Sequence, residues 1–254
     1  MTFSASVEQW RGLMSTAGGD LPIEFLLSWL QHESGGNPCS TGIPNVEAGI
    51  FQTFHPADDR FGATFTQLRA GCSGQSVTDP GAVNRSLQVQ SGLNFVRGKR
   101  DAARSHLSRV GANWGENTAD FWSMVKQEHA LPCVASELLP LMTRKLGRPP
   151  GSWAEFRAAV MATPAAEMSV GGAPGCARFA GSPSKQGRRN RLEDTLANAE
   201  EVGKFGGSFQ PGASGSSGTP GTSGAELVLA VLGLAAGAVG AFYFNRWLTA
   251  GETV

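Results

Sequence analysis

The segment from residue 21 to residue 56 constrains this chain most, because it joins a short amphipathic helix to a glycine-rich loop. Its apolar side chains recur at helical spacing: Ile23, Phe25, Leu26, Trp29 and Leu30. Asp20 and Pro22 suit the start of such a helix, because Asp caps it and Pro fits the first turn. Two glycines at 35 and 36 suit its end. The pattern predicts a helix from about residue 22 to Glu33.

Glu33 is the candidate functional residue of this segment. It is predicted to lie in the last helical turn, beside the apolar face. The negative end of the helix dipole and partial burial both favour a protonated carboxyl there. A group that holds its proton near neutral pH suits general acid catalysis. The alternative interpretation is a surface glutamate in a fraying last turn.

Two short motifs suggest a family. Glu33-Ser34-Gly35-Gly36-Asn37-Pro38 is followed by Glu47-Ala48-Gly49-Ile50-Phe51-Gln52-Thr53-Phe54-His55-Pro56. Together they resemble the Glu-Ser…Gly-Leu-Met-Gln pattern of the soluble-lytic-transglycosylase (SLT) domain, whose fold is lysozyme-like. The resemblance implies that Glu33 is the catalytic acid and base and that Ser34 supports it. It also implies that Gly49 and Gln52 line the sugar groove.

The resemblance also implies a reaction. A lytic transglycosylase cleaves the β-1,4 bond between N-acetylmuramic acid and N-acetylglucosamine with one Glu, and it leaves a 1,6-anhydro end. A hydrolase would need a second carboxylate. Glu47, Asp58 and Asp59 are candidates for it, although we favour Glu47 as a loop residue that places the turn. Four phenylalanines could stack on sugars or belong to the core: Phe51, Phe54, Phe61 and Phe65.

The remaining periodicity predicts a mainly α fold. One helix is expected over about 4–17, and a long one over about 80–108 that Asp79-Pro80 opens. Two more are expected within 111–146, separated by a break near Pro132, and a last one near 153–160. The long helix contains Gly92, which the family resemblance explains by close packing on the catalytic helix. Many relatives carry a substrate-binding tyrosine, but the single tyrosine here is the distant Tyr243. Trp122, Gln127 or His129 could replace it by position, although a lone His on an apolar helix is more often a packed core residue.

We divide the chain into four parts. Residues 1–163 form the goose-type, SLT-like domain, and 164–224 form a Gly/Ser/Pro-rich linker with a short helix near 192–202. Within that linker lie four basic residues: Lys185, Arg188, Arg189 and Arg191. A solvated charge run is the default interpretation of them, and a lipid-headgroup or nucleic-acid contact is the alternative. Residues 225–247 and 248–254 are the membrane segment and its tail.

Leu227–Phe244 is the predicted membrane span. These 18 residues are uncharged and almost wholly apolar, which is about the length that crosses a bilayer. Tyr243 and Trp247 fit an interfacial belt, and Gly233 and Gly237 would allow close helix pairing. Arg246 after the span favours a C-terminus inside and a catalytic domain outside. A buried core helix is the alternative.

Composition excludes some classes of function. The chain has 21 basic and 21 acidic residues, so nothing draws it as a whole to nucleic acid. Its four cysteines and four histidines lack metal-ligand spacing, and we predict neither metal nor cofactor. The cysteines allow three pairings, and two disulfides or four buried thiols are both compatible with the sequence.

The N-terminus has no basic and apolar pattern of a secretory signal peptide. Three routes to the cell wall therefore compete. In the first, the chain is a bacteriophage virion enzyme held in an internal viral membrane beside capsid or membrane proteins. In the second, it is a cell-envelope or secretion-system muramidase in the inner membrane, facing the periplasm. In the third, it is a non-catalytic glycan-binding structural protein. We favour the first.

Overall fold

A computed structural model describes residues 2–43, 46–54, 61–185 and 187–207. The described part is mainly helical, as predicted. In chain order its α-helices are α1 Ala5–Glu8, α2 Arg11–Ala17, α3 Ile23–Glu33, α4 Phe65–Leu68, α5 Arg85–Val110, α6 Ala119–Ala130, α7 Leu139–Leu146, α8 Trp153–Met161, α9 Ala165–Val170, α10 Pro174–Ala180 and α11 Arg191–Gly203. A π-helical turn covers Val134–Leu138, and a 3₁₀ turn covers Lys204–Gly206.

Two small hairpins lie between α3 and α5. Strands β1 (Glu47–Ala48) and β2 (Thr53–Phe54) pair antiparallel, with Glu47 opposite Phe54. Strands β3 (Cys72–Ser73) and β4 (Ser76–Val77) form the second hairpin. The first hairpin contains the Gly-Ile-Phe-Gln turn, so this turn has a defined backbone close to the end of α3.

Helix α3 ends at Glu33 as predicted, but it is not capped as predicted. Pro22 occupies the N-cap position, and no side chain caps the helix. The carboxylate of Asp20 instead accepts hydrogen bonds from Arg97 and Arg100 of α5, at 2.6 Å and 3.1 Å. Asp20 therefore ties the start of α3 to the long helix.

Helix α5 begins at Arg85, five residues later than predicted, because the side chain of Asn84 accepts from the backbone N–H of Leu87 at 3.0 Å. Gly92 lies against Phe51 so closely that a methyl group there would overlap the phenylalanine ring. The glycine inside α5 thus has a packing reason, and it sets the distance between α5 and the first hairpin.

The four cysteines form two disulfides, which decides between the alternatives that the sequence left open. Cys39 pairs with Cys72, and their Cα atoms are 5.5 Å apart. This bond ties the loop after α3 to the second hairpin. Cys133 pairs with Cys176 at a Cα separation of 5.6 Å. The second bond fixes α10 to the π-helical turn that follows the break near Pro132.

The boundary that we placed at residue 163 is wrong. Helices α9, α10 and α11 follow it, and the same compact unit continues past residue 206. Helix α11 covers the predicted short helix near 192–202 and packs extensively against α6. Its buried side chains are Leu192, Leu196, Ala199 and Val202. The segment after residue 163 has few large apolar residues, so its composition suggested a linker. In the structure its small side chains pack closely in an ordered helical layer.

Within the described ranges, no helix is both long and apolar enough to cross a bilayer. The predicted span Leu227–Phe244 lies outside those ranges, as do Tyr243, Asp58 and Asp59 and the linker beyond residue 207.

Candidate functional site

Glu33 lies at the end of α3 and faces α6. Its side chain is 19% exposed, so the carboxylate is half-buried rather than directed into bulk solvent. Oε1 of Glu33 contacts Nζ of Lys126, and Nε2 of His129 lies 3.3 Å from the same oxygen. Lys126 and His129 are three residues apart on α6, so one helix face presents both groups to the carboxylate.

An aromatic support lies beneath this ion pair. Trp29 of α3 is fully buried, and Nζ of Lys126 lies 4.8 Å from the centre of its ring. The ring of His129 lies 5.4 Å from that of Trp29 and 5.3 Å from that of Phe95. Trp29 belongs to α3, Phe95 to α5 and His129 to α6. Because these rings pack together in the core, the core sets the positions of Lys126 and His129 relative to Glu33.

The charges at the site reverse the predicted protonation of Glu33. Burial alone would raise the pKa of this carboxyl, but the charge of Lys126 and the contact with His129 hold the pKa well below its usual range. Burial lowers the pKa of His129, although the charge of Glu33 opposes this. Glu33 is therefore ionised at neutral pH, and the expectation of a protonated Glu33 is wrong.

The Gly49–Gln52 turn of the first hairpin has an unusual backbone. Gly49 has φ +86°, and Gln52 has φ +47°, the one positive φ outside glycine among the residues that the structure describes. The carboxamide of Gln88 accepts from the backbone N–H of Ile50 at 3.0 Å. A side chain at Gly49 would come within 2.6 Å of that carboxamide oxygen. Strain retained at a non-glycine residue marks a site that its surroundings hold firmly.

Gln52 and Ser34 join this turn to the end of α3. The side chain of Gln52 donates to the backbone oxygen of Glu33 and, at 3.0 Å, to the hydroxyl of Ser40. Ser34 donates its hydroxyl proton to the backbone oxygen of Ile50 at 2.7 Å. Ser34 therefore ties the end of α3 to the turn, and its support of a catalytic Glu33 stays a prediction. That Gln52 also contacts sugar stays a prediction.

Glu47, at the start of β1, is the second carboxyl of the site. Its carboxylate and the carboxamide of Gln52 both lie against Gly42, where any side chain would clash with them. Burial raises the pKa of Glu47 to about 7, and the negative charge of Glu33 adds to this. The backbone at Ile43 and the charge of Lys185 act in the opposite direction. Glu47 is thus more than a loop residue, because it is electrostatically coupled to Glu33.

Two of the predicted substrate contacts, Phe51 and Gly49, are buried in the structure. Phe51 is 1% exposed and packs on Trp29 and Gly92, so it is a core residue. Gly49 is buried, and its φ of +86° shapes the turn. The side chain of Phe54 lies outside the described residues. Phe61 and Phe65 are half-buried, and Phe61 packs edge-on against Phe95.

Of the three candidates to replace the family tyrosine, the structure places only His129 at Glu33. Trp122 is fully buried and packs against Phe25 of α3, and Gln127 is fully buried as well. Sequence reasoning missed Lys126, which is 3% exposed. A lysine amid buried positions of an amphipathic helix was the signal available, because a buried lysine needs an anionic partner.

Among the described residues, no group of three or more His, Cys, Asp or Glu side chains is placed so that it could hold a metal ion. Comparisons with protein-family models, with curated proteins and with solved structures find no match for this chain.

Proposed function

We propose that this protein cleaves the β-1,4-linked glycan of peptidoglycan with Glu33 and Glu47 as its pair of carboxyl groups. The observation that carries the proposal is that the side chain of Gln52 joins two half-buried carboxyls: it donates to the backbone oxygen of Glu33, and it lies with the carboxylate of Glu47 against Gly42. The surroundings lower the pKa of Glu33 and raise that of Glu47. Such a pair supplies an ionised and a protonated carboxyl at the same pH, which glycoside cleavage requires.

Each carboxyl has a role in this proposal. Glu47 donates its proton to the glycosidic oxygen as the bond from that oxygen to the anomeric carbon breaks. Glu33, kept ionised by Lys126, stabilises the positive charge that develops on the sugar. Water then supplies a hydroxyl group to the anomeric carbon, and its proton restores the acid. The roles differ from those that the family resemblance implies, where Glu33 alone donates and accepts the proton.

Peptidoglycan as the substrate rests on the resemblance of the Glu33-Ser34 and Gly49–Gln52 motifs to the SLT domain. The two disulfides support work outside the cytoplasm, because such bonds persist in oxidising compartments. A bacteriophage virion with an internal membrane is the location that we propose, with Leu227–Phe244 as the anchor. The bacterial inner membrane, facing the periplasm, is the alternative.

Digestion of purified sacculi tests the proposal with three variants. Glu33→Gln and Glu47→Gln should each lower the rate about 100-fold or more, because each removes a group that acts in the transition state. Glu24→Gln on the same helix α3 is the matched control, since Glu24 only pairs with Arg11 at the surface. Activity should fall as pH rises through about 7, where Glu47 loses its proton.

Product analysis by mass spectrometry separates the two reaction classes. Reducing ends are expected if both carboxyls act with water. An active Glu47→Gln variant that releases 1,6-anhydro ends would instead establish the single-carboxylate transglycosylase reaction. Undiminished digestion by Glu33→Gln would reject catalysis at this site altogether, and no digestion by the wild-type chain would favour a glycan-binding protein.

A further inference from the structure

The last turn of α6 carries the two side chains that face the candidate carboxyl of α3, and this turn cannot complete its own hydrogen bonds. The backbone oxygen of Glu128 would need the N–H of residue 132, but that residue is Pro132 and has none. Nζ of Lys99 on α5 donates to this oxygen at 3.0 Å instead. Lys126 and His129 lie within two residues of Glu128. A side chain of α5 therefore completes the helix end that presents them.

A second contact from α5 holds the side chain of the same residue. The carboxylate of Glu128 is 4% exposed, and its Oε1 lies 2.6 Å from Nδ1 of His106. His106 follows Lys99 by two helical turns, so both side chains project from one face of α5. Because a buried carboxylate without a hydrogen-bond partner is costly, this contact keeps the side chain of Glu128 directed at α5.

The same face of α5 also contacts His129 directly. Phe95 precedes Lys99 by one helical turn, and the centre of its ring lies 5.3 Å from that of His129, edge to face. Nζ of Lys99 lies 5.3 Å from the centre of the Phe95 ring. Phe95, Lys99 and His106 thus form a stripe that contacts the last turn of α6 at three points. We call these three residues the α5 clamp.

The opposite contacts of this turn are made with α3. Nζ of Lys126 contacts the carboxylate of Glu33, and Nε2 of His129 lies 3.3 Å from the same oxygen. The turn is therefore held between two helices, by the α5 clamp on one and by the carboxylate on the other. Contacts of this kind weaken steeply as distance and angle depart from hydrogen-bond geometry, so a small displacement of the turn would loosen both.

We propose that the α5 clamp is a positioning device for the candidate site: by holding Glu128, it keeps Lys126 and His129 against the candidate carboxyl of α3. The inference rests on the proposed function, in which an ionised Glu33 stabilises the charge that develops on the sugar. Such stabilisation is effective when the charged groups are fixed before the reaction. Within the described part of the chain the clamp has no hydrogen bond to Glu33, so it acts through α6.

Carbon-13 titration of the Glu33 carboxyl tests the clamp without requiring turnover. The signal is identified by its absence from Glu33→Gln, and near-ultraviolet circular dichroism follows the fold at each pH. The wild-type midpoint should lie well below the ordinary glutamate value of 4.5. Lys99→Met removes the donor and keeps an apolar chain against Phe95. Its midpoint should move up towards 4.5, because Lys126 and His129 then contact the carboxylate less closely.

Two comparisons separate positioning from the loss of one positive charge. Arg104→Met removes a cation of α5 and its ion pair with Glu116, and it should leave the Glu33 midpoint unchanged. When Lys126→Met is already present, Lys99→Met should have little further effect, because the contact through which the clamp acts is gone. A direct effect of the Lys99 charge on Glu33 would persist in that background.

His106 supplies a second pair of variants in which every lysine is kept. His106→Leu removes the hydrogen bond to Glu128, whereas the amide nitrogen of asparagine in His106→Asn can stand where Nδ1 does and keep it. The Glu33 midpoint should rise in His106→Leu and stay near the wild-type value in His106→Asn. This pair carries the test where Lys99→Met does not fold.

Kinetics with soluble glycan strands supply the readout of the reaction itself. Lys99→Met should lower kcat about tenfold and leave KM close to the wild-type value, because misplaced groups that act in the transition state reduce the rate rather than the binding of substrate. Lys99→Arg keeps the charge and the donors, so it should recover most of the lost rate.

Three results would overturn the inference. They are an unchanged Glu33 midpoint in both Lys99→Met and His106→Leu, an equal rise in Arg104→Met, and a full rise from Lys99→Met in the background of Lys126→Met. The expected titrations in a protein whose wild-type form cuts no glycan would refute the proposed function and keep the clamp. A wild-type protein that cuts glycan, with clamp variants of unchanged midpoint and kcat, would refute the clamp and keep the proposed function.

Discussion

Replacing Lys126 with methionine should expose how the site keeps Glu33 ionised. Methionine fills similar volume but leaves the carboxylate without its cation. Breaking a fully buried pair costs about 3–5 kcal/mol. Glu33 is 19% exposed and can also take up a proton, so we expect a smaller loss of about 2–3 kcal/mol at pH 7.5. For a domain of this size the melting temperature should fall by roughly 5–10 °C.

The loss should depend on pH in a defined direction. A depressed pKa stabilises the fold above the ordinary glutamate value of 4.5, and this contribution fades as pH falls. Thermal unfolding followed by near-ultraviolet circular dichroism should therefore separate Lys126→Met from wild type more at pH 7.5 than at pH 4. In the double variant Lys126→Met/Glu33→Gln, stability at pH 7.5 should recover in part. A pH-independent loss, or a double variant no more stable than Lys126→Met, would refute this reasoning.

Two further changes test packing and crosslinking. Gly92→Ala should destabilise by about 1–3 kcal/mol, because the methyl group overlaps Phe51. Gly98→Ala in the same helix has open space and should stabilise by about 0.5–1 kcal/mol, and urea unfolding that gives both the same sign would contradict the packing argument. Replacing Cys133 and Cys176 with alanine should cost about 2–5 kcal/mol in the same assay, and an unchanged midpoint would show that the bond adds nothing to stability.

Local signals in the sequence located the candidate site. Apolar spacing placed the end of α3 at Glu33, and the Gly49–Gln52 turn lies beside it as the two-part motif implies. These features depend on residues close in sequence, where helical periodicity and turn preferences act directly. Phe51 was harder to assign, because a phenylalanine has the same local sequence pattern whether it faces a ligand or the core.

The C-terminal layer could not be predicted from periodicity. Its helices are short, and it fits the core through small side chains such as Ala199 and Gly203, which lies against Ser123 of α6. Composition alone therefore favoured a linker. The disulfide between Cys133 and Cys176 also lay beyond sequence reasoning, because any of three pairings satisfied the same four residues.

By itself, the sequence determined the helical character of the chain, the position of Glu33 at a helix end and the turn that contains Gln52, because each follows from neighbours along the chain. Only the tertiary structure decided the charge of that glutamate. Lys126 lies 93 residues away and meets Glu33 through the packing of α6 on α3, and Glu47 gains its raised pKa from the same assembly. The protonation state of a carboxyl depends on its burial and on its distance from other charges, and neither can be read from the neighbouring residues in the sequence.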